Sequence, residues 1–218
     1  MSGIWITPYM DSVIFDLDGT LWDGSNASAV AWNRAMQELG LDHKRIRAVD
    51  IADISGKTPE EFLPIIFPDL SRREGETFYS ICSAYEAEEI LNGMGTLRDG
   101  VERFLERISQ EYPVFLVSNC QRDYMDAFLE WSGMEDLIVD SMTHGDNGRS
   151  KAENIGILMS GHDLKRPVHI GDTEEDREGA REAGVGFIKI APAFKAELDP
   201  GLPSLNEITD RILRGSID

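Results

Sequence analysis

The sequence predicts an α/β protein: a doubly wound, Rossmann-like parallel sheet core with an all-helical cap inserted after the first strand. Three observations predict it. Short apolar runs, too brief for helices and too continuous to face water on one side, alternate with amphipathic helical patterns. One long segment interrupts the alternation and carries helical pattern only. The chemically interesting polar residues fall where apolar runs end, at the edge where open α/β sheets bind ligands.

The first apolar run, Ser12–Phe15, leads into Asp16-Leu17-Asp18-Gly19-Thr20; residues 1–9 precede it and are expected to carry no function. From about Ser25 to about Asn92 the pattern is helical over Ala27–Leu39, His43–Ile51, Pro59–Ile66 and Arg72–Leu91. Glycine marks both ends of this segment, in Asp23-Gly24-Ser25 and in Asn92-Gly93-Met94-Gly95. These hinge-like boundaries divide the chain into a core of residues 1–23 and 94–218 and a helical cap of residues 24–93. Gly93 and Gly95 do not continue into a dinucleotide fingerprint, since position 98 is Arg. The core then resumes with a helix over Val101–Ile108 and a strand over Val114–Val117 that exits into Ser118-Asn119. A helix over Asp123–Trp131 and a strand over Leu137–Val139 follow. The loop after that strand is rich in Gly and reaches Lys151, ahead of a helix over Ala152–Met159. The strand Val168–Ile170 exits into Gly171-Asp172-Thr173-Glu174-Glu175-Asp176, with a helix over Glu174–Ala183 and a fifth strand over Gly186–Ile190. A tail with Pro192, Pro200 and Pro203 ends in a helix near Leu205–Leu213.

The bulk properties narrow the function classes. The 218 residues, 41% hydrophobic and 28% charged, are sufficient for a real core. No apolar run approaches a membrane span, the N-terminus lacks the pattern of a signal peptide, and two cysteines give no disulfide framework; the expectation is a cytoplasmic protein. A net charge of −19 argues against nucleic-acid or anionic-membrane partners. It leaves room for a small anionic substrate, because a bound divalent cation reverses the field locally.

The acids of VIFDLDGTLWDG do not form a calcium loop. Counted from Asp16, positions 5, 6 and 12 are Thr20, Leu21 and Ala27, where an EF-hand needs an acid or Asn, Gly and Glu. Taken singly, the polar strand exits would read as helix caps, turns and a surface lysine. Taken together they fit one chemistry. Mg²⁺ favours few carboxylates, several waters and a substrate phosphate, and Asp16 and Asp172 can supply the carboxylates. Ser118 can donate to a phosphoryl oxygen, and Lys151 offers a point charge to the phosphate and the facing acids. Asp16 and Asp18, two apart at a strand end, can project to one side, one to attack phosphorus and the other to protonate the leaving oxygen. Gly19 permits a tight turn, and backbone N–H groups at Gly19 and Thr20 can point at the anion.

In this order, FDLDGTLWD, VSN, Lys151 and IGDTEEDREGAREAG resemble the motifs of the haloacid dehalogenase-like hydrolases. The chain is most similar to the phosphoglycolate phosphatase and β-phosphoglucomutase-like branch, which places a helical cap between the first two motifs, so the likeness spans nearly the whole chain. The resemblance implies a Mg²⁺-dependent phosphatase of a small phosphorylated metabolite, a phosphoglycolate- or sugar-phosphate-like monoester, working through an aspartyl-phosphate. It implies Asp16 as nucleophile, Asp18 as general acid and then base, and Ser118, Asn119 and Lys151 as phosphate-binding residues. For the metal it implies Asp16, Asp172 and the backbone carbonyl of Asp18, with Asp176 an outer-shell or water-mediated ligand.

Departures from the branch bear on the substrate. The cap Arg with which its mutases grip a second phosphate falls at Pro59, and their extra His falls at about Ser28, so both disfavour a mutase. Asp18 argues against dehalogenation, because dehalogenases of the superfamily lack the second aspartate. Lys57 matches the cap lysine of phosphonate-cleaving members poorly. Lys57, Arg72, Arg73 and Tyr85 are the cap residues that could touch the metabolite, Trp22 and Trp32 are expected to pack at the hinge, and Asp23 to serve it. His169 is expected beside the sheet, His144 at the fringe of the site, and Cys120 as a packed small side chain. Both a monomer and a small homo-oligomer are compatible with the sequence.

Overall fold

A computed structural model describes residues 10–41, 44–193 and 205–213. The first strand, β1 (Ser12–Phe15), is followed by β2 (Trp22–Asp23) and then by four helices: α1 (Ser25–Leu39), α2 (Ala48–Ala52), α3 (Pro59–Ile66) and α4 (Arg72–Leu91). After β3 (Thr96–Leu97) come α5 (Val101–Ser109), β4 (Val114–Ser118), α6 (Arg122–Ser132), β5 (Asp140–Thr143), α7 (His144–Asn147) and α8 (Lys151–Gly161). The chain continues through β6 (Pro167–Gly171), α9 (Glu174–Ala183), β7 (Gly186–Lys189) and α10 (Leu205–Leu213).

Five strands form one parallel sheet in the order β5-β4-β1-β6-β7, so β1 sits at the centre. Its residues show why the run is apolar throughout. Val13 and Phe15 enter a core shared with α5, α6 and α10, whereas Ile14 enters the opposite core with Phe115, Val117, Ile155 and Leu158. Helices cover both faces, so neither face of the central strand can be polar. The doubly wound architecture expected from the sequence is the one observed.

Helices α1 to α4 carry an apolar core of their own, built on Trp32, Met36, Phe62, Phe67, Phe78 and Cys82. This insertion leaves and rejoins the sheet through the short antiparallel pair of β2 and β3, which the sequence reading did not anticipate. Trp22 explains the pair: fully buried against Tyr124, Phe128 and Trp131, it fixes the point where the chain departs.

Two predicted elements are displaced. The strand expected over Leu137–Val139 is a 3₁₀ turn ending at Leu137 followed by a half-exposed Val139, and pairing with β4 occurs over Asp140–Thr143. As an edge strand, β5 has one partner and little apolar demand, so Asp-Ser-Met-Thr suffices. The helix predicted over His43–Ile51 is observed only as α2. The Asn33 amide bonds both the N–H and the C=O of Ile46, at 3.0 and 2.7 Å, and so replaces helical partners there. The start of that predicted helix, residues 1–9 and the prolines at 200 and 203 lie outside the described residues.

Candidate active site

The C-terminal ends of β1, β4 and β6 bring together residues far apart in the chain. Asp16 follows β1, Ser118 closes β4, and Asp172 follows β6; all three are buried. Lys151 is the first residue of α8, whose N-cap Ser150 accepts from Glu153 N–H. Its ammonium is buried, donating to Asp16 Oδ1 at 2.7 Å and to Asp176 Oδ1. Asp176 is fully buried and its other oxygen accepts from the Thr173 N–H and hydroxyl at 2.9 and 2.6 Å, the capping box of α9.

Carboxylate oxygens of Asp16, Asp172 and Asp176 all lie within 4.8 Å of one another. Burial, reinforced by Asp176, pushes the Asp16 carboxyl well above its usual range, and the same causes raise Asp172 to about 7. Asp176 goes the other way: burial opposes its ionisation, yet the facing Lys151 and the His169 ring hold it low. For both raised aspartates burial is the larger cause and the neighbouring acids add to it, while Lys151 works against both. Were all three carboxylates ionised, the one ammonium would leave two charges uncompensated, all on oxygen, a donor set that a divalent hard cation such as Mg²⁺ fits.

Asp18 stands apart from this cluster. Its Oδ1 accepts from the Tyr124 hydroxyl and from Trp22 Nε1 at 3.2 Å, and burial lifts its carboxyl to about 6. The Asp18 side chain is not among the clustered carboxylates of Asp16, Asp172 and Asp176. Gly19 has φ +82°, and a Cβ there would stand 2.5 Å from an Asp172 oxygen, so the turn both bends the chain and makes room for that carboxylate.

The expected N–H donors at this turn need correction. Gly19 N–H is taken by Trp22 O at 2.8 Å and Thr20 N–H by Leu17 O at 3.2 Å, because the tight turn closes on itself. The Thr20 hydroxyl instead donates to Asp172 Oδ1 at 2.9 Å, so this residue orients an acid. Ser118 Oγ accepts from Cys120 N–H at 3.2 Å, which leaves its own proton for an oxygen in the cleft. Asn119 commits one amide N–H to Gly56 O of the insertion, at 2.7 Å.

Several contributors were not legible in the sequence. Tyr124 lies on the inward face of α6, His169 inside β6 with its Nε2 3.3 Å from Asp176, and Arg98 donates to the Thr20 and Gly19 carbonyls at 2.7 and 2.9 Å. For Tyr124 and His169 the one signal available was an inward position on a helix or strand, which apolar packing shares; Arg98 lies in the loop after β3 and carried none. Cys120 has its thiol pushed up by burial, which suits packing and not attack. His144 pairs with Glu60 at 3.2 Å and Arg149 O at 3.0 Å, outside the cleft.

A narrow cleft, with about 90 Å³ open to a water-sized sphere, runs from Asp16 and Asp18 to the underside of the helical insertion. Of the candidate substrate contacts, Lys57 lines it and bonds Glu175 at 3.0 Å, whereas Arg72 pairs with Glu76 and Tyr85 with Glu38 on the exposed surface. The insertion presents Ser28, Trp32, Phe62, Tyr79 and Glu86 to the cleft instead.

The sequence model of the family described as haloacid dehalogenase-like hydrolase matches residues 13–190. The chain belongs to the haloacid dehalogenase-like hydrolases. Among curated relatives, a phosphoglycolate phosphatase of Xanthomonas campestris pv. campestris is 26% identical over 185 residues, covering 80% of each chain. Another, from Aquifex aeolicus, is 25% identical over 83% of this chain and 88% of its own. The solved structure of CbbY from Rhodobacter sphaeroides in complex with phosphate shares the fold, with TM-score 0.75 at 16% identity over 95% of this chain and 99% of that one. A subfamily IA member from Geobacter sulfurreducens does so with TM-score 0.63 at 20% identity over 94% and 95%.

Proposed function

We propose that this phosphatase hydrolyses a small phosphorylated metabolite with Mg²⁺, through an aspartyl-phosphate formed on Asp16. The observation that carries the reading is the buried cluster of Asp16, Asp172 and Asp176 around Lys151, with Asp18 held separately beside it. The retained second aspartate and relatives named phosphoglycolate phosphatase support phosphate transfer over dehalogenation.

An Asp16 oxygen attacks phosphorus, and the bond from phosphorus to the ester oxygen breaks. Asp18 gives its proton to the departing oxygen, so the alcohol leaves neutral. Water then attacks the aspartyl-phosphate at phosphorus, losing its proton to Asp18, and inorganic phosphate leaves with Asp16 restored. A carboxyl held near 6 populates both protonation states at neutral pH, as this double duty demands. Asp16, Asp172 and the Asp18 carbonyl would hold Mg²⁺, with Asp176 beyond them; the ion, when bound, supplies positive charge against the phosphoryl oxygens. Lys151 donates to Asp16, which opposes the effect of burial on that carboxyl, and offers the phosphate a cation; Ser118 donates to a phosphoryl oxygen, and Asn119 ties this loop to the insertion. The helical insertion acts as a cap, domain 24–93 over a core of 1–23 and 94–218, that excludes bulk water.

Asp16→Asn tests the assignment. Phosphate release in Mg²⁺ should fall at least about 1,000-fold while circular dichroism stays that of the parent. Undiminished hydrolysis by the variant removes Asp16 as nucleophile.

A further inference from the structure

The cleft wall opposite the aspartates has a chemical character of its own. Glu86, on α4, is 4% exposed, and no basic side chain among the described residues bonds it: its oxygens meet Trp32 Nε1 at 2.8 Å and the Ser28 hydroxyl. Asp23 is a second carboxylate lining the same space, with one oxygen taken by Ser25 N–H at 2.9 Å. Between them the wall is aromatic. Trp32 and Phe62 lie 5.2 Å apart and Phe62 and Tyr79 5.3 Å apart, centroid to centroid. Lys57 is the one basic residue among the described residues lining the cleft, and Glu175 already balances it at 3.0 Å. A buried acid without a cationic partner among the described residues, in a cleft lined by aromatic rings and a second acid, is complementary to a positive ligand and repels a negative one.

We propose that Glu86 is the specificity-determining residue of the cleft and selects phosphomonoesters of amino alcohols, whose ammonium it meets against the Trp32–Phe62–Tyr79 wall. The inference rests on the phosphatase reading above and goes past it. The alcohol side of the substrate is cationic, unlike the carboxylate of the phosphoglycolate named in the curated relatives. The charges then divide along the cleft: the phosphate meets the core's Lys151 and metal site, and the ammonium meets the insertion's acids. Hydrolysis itself is unchanged, the amino alcohol leaving with the proton from Asp18.

Three substrates of equal chain length separate the outcomes: 2-aminoethyl phosphate, 2-hydroxyethyl phosphate and 2-phosphoglycolate, assayed for phosphate release with Mg²⁺. The parent enzyme should favour the amine over the neutral ester in kcat/KM by about 10- to 100-fold, the range of a charge-assisted contact, with phosphoglycolate poorest. In Glu86→Gln that preference should fall towards one, chiefly through a higher KM for the amine. Hydrolysis of the neutral ester by the variant reports that it is folded. A parent that prefers phosphoglycolate or the neutral ester overturns the proposal, and so does an amine preference that survives Glu86→Gln. If Asp16-dependent phosphate release is absent for all three and for p-nitrophenyl phosphate, the phosphatase reading fails and the proposal falls with it.

Discussion

Lys151, among the buried aspartates, and Glu86, on the cleft wall, are both buried ionisable residues, and they stand in opposite electrostatic situations. Lys151 is surrounded by acids, which keep it charged against the opposing effect of burial. Removing it as Lys151→Met leaves Asp16 and Asp176 buried without their cation. In EDTA the loss should approach about 3–5 kcal/mol, measured by urea unfolding, as for other broken buried pairs. Glu86 has no cation, and burial holds its carboxyl near 7 against an ordinary 4.5. Because the folded value is the higher one, its contribution to stability is complete below pH 4.5 and is lost as pH rises to 7. At about 1.36 kcal/mol per pK unit the loss is roughly 3 kcal/mol. Glu86→Gln should therefore match the parent near pH 4.5 and melt higher at pH 8; equal melting temperatures at both would refute the shift. At this scale the acids, Ser118 and Lys151 could be placed together because positions that singly read as caps, turns or surface residues recur in order at the strand exits and at one helix start of the same sheet edge. Tyr124, His169 and Arg98 were not legible, since the Asp18 carboxylate, the Ile14 carbonyl and the Thr20 carbonyl that they meet lie far from them in sequence.

Among the elements, the central strands were readable because burial on both faces writes a continuous apolar run, as in Ser12–Phe15 and Val114–Ser118. The edge strand β5 was misplaced by three residues because the apolar Leu137–Val139 lies beside the strand and Asp140–Thr143 within it. The crossing into the insertion was legible as a glycine-marked boundary, but not for the right reason. Gly24 has φ −91°, open to any residue, yet a Cβ there would stand 2.0 Å from the Tyr124 hydroxyl. The glycine is needed so that α6 can bring Tyr124 to Asp18. Gly24→Ala should then push that hydroxyl aside, costing about 1–3 kcal/mol of stability, as overpacking does. Turnover should suffer through kcat more than KM, because the displaced tyrosine bonds Asp18, the residue proposed to carry the proton. A variant with the parent's kinetics and melting temperature would show that Tyr124 has room to retreat.

For the whole molecule, the −19 net charge and the clustered acids have a shared consequence. The fold holds Asp16 and Asp172 where ionisation is unfavourable, so the metal-free protein carries a repulsion that a divalent cation relieves. Binding to the folded state alone must then stabilise it by mass action: at 100 times Kd, Mg²⁺ is worth about 2.7 kcal/mol, or roughly 5–10 °C in Tm for a chain of this length. Calorimetric scans with Mg²⁺ and with EDTA measure this directly. Asp172→Asn separates site binding from general screening. The substitution removes a buried carboxylate whose ionisation the fold resists, so the metal-free variant should melt higher than the metal-free parent. It also removes a ligand, so its response to Mg²⁺ should shrink to that of an exposed acidic surface. A variant that is less stable without metal, or that responds to Mg²⁺ as the parent does, would show that the acids are held together by their hydrogen bonds and not for a cation.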